Sequence, residues 1–274
     1  MHTYKLIASD LDGTLLDNHA CVSRENLDAI AALSKMGVHF VPCSGRTFSE
    51  LPEVLKENEN IRYVIHSNGA VVLDAKTGKR ILNCLSNELC RKLLDVLNSY
   101  KTHVTFRMNG ECYVDARFQD AASWDFYNVC EAHRTVVRNY AIYLEDFNEK
   151  SYGADNVEVL VSFFHDHEEK LSCIEKLKKE PRIHVVELDE NNIEVVCSTA
   201  GKGNALISLC ELLDIDISQT ISLGDSGNDI SITQTAGLGL AMSNAFDSLK
   251  AVADDVICSN EEHVAKYILE HYFS

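Results

Sequence analysis

Tyr4-Lys5-Leu6-Ile7-Ala8-Ser9-Asp10-Leu11-Asp12-Gly13-Thr14 decides the fold, because an apolar run of strand length feeds directly into two carboxylates and a glycine turn. A short apolar run that ends on a turn signal reads as a buried strand. On an extended segment, side chains at i and i+2 point the same way. Asp10 and Asp12 are therefore both expected to face a pocket beyond the carboxyl end of a sheet, where open α/β folds bind ligands. Like charges that close call for a cation, and two oxygens plus waters suit Mg²⁺. Taken alone, Asp-Gly is just as much a common turn signal, so the rest of the chain has to decide.

Three later segments supply complementary chemistry. Val38–Pro42 is a second apolar run, and Cys43-Ser44-Gly45-Arg46 follows it, with a hydroxyl and backbone N–H groups expected where a strand ends and a helix opens. That is a natural oxyanion site. Gly201-Lys202-Gly203 opens the helical stretch Asn204–Leu213, which puts one ammonium beside a helix N-terminus. Ile221-Ser222-Leu223-Gly224-Asp225-Ser226-Gly227-Asn228-Asp229 is a short strand running into a glycine turn that carries two acids and an amide. Ser-Gly-Arg means little by itself, and the other two segments have plain readings as a surface lysine and a solvated turn.

Together the segments resemble the haloacid dehalogenase superfamily of phosphohydrolases, and within it the Cof-type, class IIB group. The family pattern is Asp-x-Asp-Gly-Thr, a Ser or Thr ending the second strand, a Lys, and Gly-Asp-x-x-Asn-Asp, and all four occur here in that order. Asn68-Gly69-Ala70, Ala236–Met242 with Asn244-Ala245, and Cys258-Ser259-Asn260-Glu261 sit where that group has comparable segments. Four ordered motifs are specific where one alone is weak. Two departures lie off the carboxylate cluster: Ile230-Ser231-Ile232 stands where the group has Met-Leu, and Glu262-His263-Val264 where it has Asp-Gly-Val.

The resemblance implies a Rossmann-like parallel α/β core, residues 1–81 and 198–274, with an inserted α+β cap of class IIB type at 82–197 that sets specificity. It also implies the roles. Asp10 is the nucleophile that forms an aspartyl-phosphate, and Asp12 is the general acid and base. Mg²⁺ is held by Asp10, the backbone carbonyl of Asp12 and Asp225. Ser44, Gly45, Lys202 and Asn228 hold the transferring phosphoryl oxygens, with Thr14, Arg46 and Asp229 in support. The expected partner is a small phosphorylated metabolite, a sugar phosphate before a nucleotide or a phosphorylated cofactor. A phosphotransferase or phosphomutase would share every one of these residues, and a non-enzymatic phosphometabolite-binding protein is the remaining alternative.

Composition narrows the classes further. A chain of 274 residues that is 46% hydrophobic has ample core for one large or two modest domains. No apolar run approaches the ~18 residues of a membrane span, and no signal peptide is evident, so a cytoplasmic protein is expected. The ten cysteines show no CxxC pattern and read as small core residues in a reducing compartment. A formal net charge of −17 disfavours nucleic acid or an anionic membrane as partner. An anionic substrate must then be attracted locally. The oligomeric state is not legible.

Along the chain, strands are expected at Tyr4–Ser9, Val38–Pro42, Arg62–His66, Thr220–Leu223, Leu238–Ala241 and Val256–Cys258. They alternate with helices at Arg24–Met36, Phe48–Glu57, Lys202–Leu213, Asp229–Thr235 and Glu261–Tyr272, the pattern of βαβ units in a parallel sheet. Within the insert, strands at His103–Arg107 and Glu111–Asp115 flank Met108-Asn109-Gly110, a hairpin signal. A strand at Val157–Phe164, a helix at Asp166–Lys179 and a strand pair at Arg182–Leu188 and Asn192–Cys197 follow. His165-Asp166-His167-Glu168-Glu169 reads as a capped helix start rather than a metal cluster. Gly201-Lys202 is no P-loop, since Val196 and Gly203 occupy positions that require Gly and Ser or Thr.

Overall fold

The structure is a computed structural model that describes residues 4–187 and 190–273. It divides into two compact units: one runs from the N-terminus to Arg46 and adds Leu51–Ile81 and the chain from Gly201 onward, and the other joins Thr47–Glu50 to Leu82–Ala200.

The first unit begins with β1 (Leu6–Ser9), a tight helical turn at Leu11–Leu15, and α1 (Arg24–Lys35). Ser23 starts α1, its hydroxyl accepting from the Asn26 N–H at 3.2 Å. Asn26 is buried and works across the fold, donating to the Leu15 carbonyl and accepting from the Ala265 N–H. Next come β2 (His39–Pro42), α2 (Glu53–Lys56), β3 (Tyr63–His66), β4 (Val71–Asp74) and β5 (Arg80–Leu82). Two expectations need correcting here. The helix foreseen over Phe48–Glu57 is only the single turn α2. Arg62–His66 does not join the parallel sheet as a full strand, because β3 belongs to a sheet of order β3-β4-β5 and touches the β2 line at one parallel bridge, Cys43 to Ile65. Pro42 supplies a reason. Cys43 N donates to Ser9 on the β1 side and Ser44 N to Ile65 on the other, so alternation places the missing N–H of Pro42 towards β3.

The second unit contains α3 (Asn87–Leu97), β6 (Thr102–Met108), β7 (Glu111–Asp115), α4 (Ala121–Phe126), α5 (Glu131–Tyr140) and β8 (Ala141–Leu144). It continues through α6 (Phe147–Gly153), β9 (Val157–Phe164), α7 (His167–Leu177), β10 (Ile183–Glu187) and β11 (Asn192–Cys197). The strands form one sheet of order β10-β11-β9-β6-β7-β8, antiparallel except where β8 runs parallel to β7. Asn109 and Gly110 both take positive φ, as a tight two-residue hairpin requires. One sheet face, with Val104, Phe106, Leu160 and Phe164, packs on Leu89, Leu93 and Leu97 of α3 and Ile174 and Leu177 of α7. On the other face Arg107 lies between Glu50 and Glu194, at 3.7 and 3.4 Å, and all three are buried. Leu188, the last residue of the strand expected at Arg182–Leu188, and Asp189 after it lie outside the described residues.

The chain returns to the first unit as α8 (Lys202–Leu213), β12 (Thr220–Gly224), α9 (Ile230–Thr235), β13 (Leu238–Met242), α10 (Asp247–Lys250), β14 (Asp255–Ile257) and α11 (Val264–Tyr272). The main sheet is parallel throughout, with order β14-β13-β12-β1-β2. Its interior strands are buried on both faces, which is why they read as continuous apolar runs. The chain leaves β1 for β2 on one side and comes back as β12 on the other. That reversal creates a crevice at the carboxyl ends of the three strands.

Candidate active site

Parallel register alone brings the motifs together. Ser9 lies opposite Leu223 on β12 and Pro42 on β2, so the residues after each strand end, Asp10, Asp225 and Cys43-Ser44, emerge side by side. The Asp10 N–H is tied to the Leu223 carbonyl at 2.9 Å.

Asp10 and Asp12 then part company. The chain leaves the extended conformation after Asp10, so strand alternation no longer governs Asp12. The Asp10 side chain is 7% exposed and its Oδ1 accepts from Lys202 Nζ at 2.6 Å. The Asp12 carboxylate is 57% exposed and lies in a two-pronged pair with Arg46, Nη2 to Oδ1 at 2.6 Å and Nε to Oδ2 at 2.9 Å. The expectation that both acids face one way is corrected by this geometry. Gly13 makes the divergence possible at φ +72°, and a Cβ there would come within 2.4 Å of Asp225 Oδ2. Only glycine lets the backbone pass that close to the carboxylate. Asn244, from the loop after β13, holds the Gly13 carbonyl at 2.8 Å.

Lys202 is the electrostatic centre. It is 1% exposed, and its Nζ is 2.6 Å from Oδ1 of both Asp10 and Asp229. Burial opposes its charge, but the two carboxylates outweigh burial and raise its pKa above the ordinary lysine value. Burial pushes the Asp10 carboxyl up to about 7; Lys202 pulls against that shift, and Asp229 and Asp225 add to it. Asp225 is raised to about 6, first by burial and then by Asp229. Asp229 spends its other oxygen on the backbone, accepting from the N–H groups of Asp225 and Ser226 at 3.1 Å each. It therefore orients Lys202 and fixes the 225–229 turn in a single act.

Among the described residues, Asp10, Asp225 and Asp229 bring acidic oxygens within 4.8 Å of one another, a spacing that suits a metal ion. Asp225 Oδ1 is buried without a hydrogen-bond partner. An ionised oxygen left so is costly unless a cation meets it. A donor set made only of hard carboxylate oxygens fits a divalent cation of the Mg²⁺ or Ca²⁺ kind.

The remaining expected residues are placed as follows. Ser44 is buried; its Oγ accepts from the Arg46 N–H at 3.1 Å, and its own N–H is bound to Ile65. No helix opens at Gly45, so the oxyanion argument from a helix N-terminus does not apply there; the loop itself is the structure. Asn228 is exposed, accepting from Ser226 Oγ and donating to Asn68 Oδ1. Thr14 is fully buried with Oγ1 unpartnered. At the start of α7 the Nδ1 of His165 and of His167 each meets a backbone carbonyl, and Asp166 caps α7 through the Glu169 N–H. Asn68 and Asn244 were legible as motif segments, yet nothing in their spacing signalled what they touch.

The sequence family described as haloacid dehalogenase-like hydrolase matches residues 7–268. Among curated relatives, the putative phosphatase YxeH of Bacillus subtilis is 32% identical over 267 residues, covering 95% of each chain. The 5-amino-6-(5-phospho-D-ribitylamino)uracil phosphatase YwtE of the same organism is 27% identical over 285 residues, covering 98% of each. A solved haloacid dehalogenase-like hydrolase from B. subtilis superposes with a TM-score of 0.78 at 27% identity, over 97% of this chain and 99% of that one. The chain belongs to the haloacid dehalogenase-like hydrolases, in the Cof-type phosphatase group. It is an enzyme, a phosphohydrolase acting on a phosphorylated small molecule. No helix among the described residues is long and apolar enough to cross a membrane.

Proposed function

We propose that the enzyme is Mg²⁺-dependent and hydrolyses the phosphate monoester of a small sugar or sugar-alcohol metabolite through an aspartyl-phosphate on Asp10. The observation that carries this reading is the buried Asp10 carboxylate, held by Lys202 with Asp229 behind it, beside an Asp225 oxygen that lacks a partner. Lys202 occupies Oδ1 of Asp10 and so orients the carboxylate for attack on phosphorus by its other oxygen. Asp10, Asp225 and the carbonyl of Asp12 would hold the cation, which supplies charge neutralisation between nucleophile and phosphate. Lys202, Asn228 and the Ser44-Gly45 loop hold the phosphoryl oxygens, the task that dominates phosphoryl transfer. Asp12, whose carboxylate is exposed, leaves Arg46, gives its proton to the departing oxygen and then takes one from the attacking water. The names of relatives support the substrate class, since several act on a phosphorylated ribityl chain.

A panel of phosphorylated metabolites, assayed for free phosphate with Mg²⁺ and after chelation, tests the reading. Phosphate release that stops on chelation and in Asp10→Asn is expected. Release that persists in both would overturn it. Product analysis with an added acceptor alcohol separates hydrolysis from transfer to a sugar hydroxyl.

A further inference from the structure

Ser67, Asn68 and Gly69 take positive φ in succession, at 52°, 54° and 85°. Two consecutive left-handed residues that are not glycine cost free energy and persist only where the surroundings enforce them. The turn follows β3, and three of the four motifs of the catalytic centre meet on it. The Ser67 N–H donates to the Arg46 carbonyl at 2.8 Å and the Asn68 N–H to the Ser44 carbonyl at 3.0 Å, so the loop around Gly45 is gripped on both sides. The Asn68 side chain lies against Gly45, where a Cβ would come within 2.9 Å of Asn68 Oδ1. That same Oδ1 accepts from Asn228 Nδ2 at 3.1 Å. Gly69 closes on the third motif: a Cβ there would lie 2.3 Å from the Gly201 carbonyl oxygen and 2.9 Å from the Lys202 nitrogen.

We propose that Asn68 is a positioning residue for phosphoryl transfer, aiming the Asn228 amide and fixing the Ser44–Arg46 loop so that both present their donors to the same phosphoryl group. The proposal deepens the phosphatase reading above and rests on it. Without Asn68 the Asn228 side chain is still held at its oxygen by Ser226 Oγ, but its Nδ2 loses the Asn68 acceptor, and a donor that must be oriented at the moment of reaction contributes less to the transition state. Asparagine suits the post for two reasons: it tolerates the left-handed backbone, and its side-chain carbonyl can accept from a second amide.

Asn68→Gly keeps the backbone free to adopt positive φ while removing the amide, and Asn68→Ser retains a short polar side chain that cannot reach Asn228. The wild-type enzyme and both variants are to be compared in kcat for p-nitrophenyl phosphate and in affinity for orthovanadate by calorimetry, with Asn228→Ala and the Asn68→Gly/Asn228→Ala pair completing a cycle. Expected is a loss of roughly five- to tenfold in kcat and in vanadate affinity, the worth of one oriented hydrogen bond, with thermal midpoints close to wild type. The double variant should lose less than the two single losses combined. A purely structural role would move the midpoint and leave the two losses additive. Wild-type kcat and vanadate affinity in Asn68→Gly and Asn68→Ser, or additive losses in the cycle, overturn the proposal. A wild-type enzyme that neither releases phosphate nor binds vanadate overturns the phosphatase reading instead.

Discussion

Asp10 and Asp12 carry the same functional group two residues apart and meet opposite environments, one buried on an ammonium and the other exposed on a guanidinium. Lys202 fixes the Asp10 carboxylate in place, as an attacking group requires, while the Asp12 carboxylate lies on the exposed side, where substrate and water can reach it. Asp12→Asn is expected to leave Mg²⁺ affinity unchanged, because its side chain is not among the clustered acids, while the rate falls roughly 10²–10⁴-fold. With p-nitrophenyl phosphate, whose leaving group needs little protonation, a burst of nitrophenolate should precede the stall. With an alkyl phosphate the first step itself should slow. Rapid-mixing absorbance and phosphate assays distinguish the two, and equal slowing with no burst would remove Asp12 from the acid–base role. Lys202 gives a second test at this scale. Lys202→Met strips the cation from between two buried carboxylates and should cost about 3–5 kcal/mol of stability, read from urea midpoints. A midpoint unchanged near neutral pH would mean that the two ion pairs contribute nothing net to stability.

At the level of elements, the turn after β1 and the cap of α1 make a useful contrast, being neighbours in sequence with different duties. Gly13→Ala sets a Cβ against Asp225 in a backbone region that disfavours it, so activity should vanish and stability drop by about 1–3 kcal/mol. Ser23→Ala removes only the hydroxyl that accepts from Asn26 N–H, with an expected cost of about 1 kcal/mol and an unchanged kcat. Denaturation and steady-state kinetics on both variants settle the comparison; a loss of kcat in Ser23→Ala comparable to that in Gly13→Ala would contradict it. In the second unit, Arg107 is the buried cation between Glu50 and Glu194. Arg107→Met should destabilise that unit by about 3–5 kcal/mol, visible as an earlier transition in calorimetry. A single unshifted transition would mean that the Arg107 pairs contribute nothing net to the stability of that unit.

For the whole molecule, the clearest pH dependence lies in buried histidines. Burial lowers His66 to about 3, His103 to about 4 and His133 to about 3, with nearby Arg80 adding to the shift at His66, and Arg107 and His103 adding to it at His133. In the unfolded chain each takes its proton near the ordinary value of ~6.5. Between those limits the unfolded chain binds more protons, so stability present above ~6.5 is lost as the pH falls towards about 4. Each histidine contributes about 1.4 kcal/mol per pH unit to that slope. Urea midpoints measured from neutral to acid pH should therefore decline steeply, and His103→Phe should flatten the decline. A midpoint independent of pH across this range would show that all three histidines take up protons in the folded protein as readily as in the unfolded chain.

The sequence by itself determined the residues whose function depends on local order. The alternation of apolar runs and amphipathic stretches gave the parallel α/β core with its inserted mixed sheet, and α8, β7, β9 and β11 begin and end where the pattern places them. Both the chemistry-bearing side chains and the strand ends that carry them were legible, because residues that terminate β1, β2 and β12 must meet once those strands are neighbours. What tertiary structure decided was everything set by pairing between distant segments. The small sheet of β3, β4 and β5, the parallel placement of β8 beside β7 and the shortening of α2 depend on which edges remain open after the larger sheets have formed. The opposite orientations of Asp10 and Asp12 belong to the same class. Strand periodicity fixes a side chain's direction only while the chain stays extended, and it bends at Asp10, where the choice passes to Lys202 and Arg46, from remote parts of the sequence.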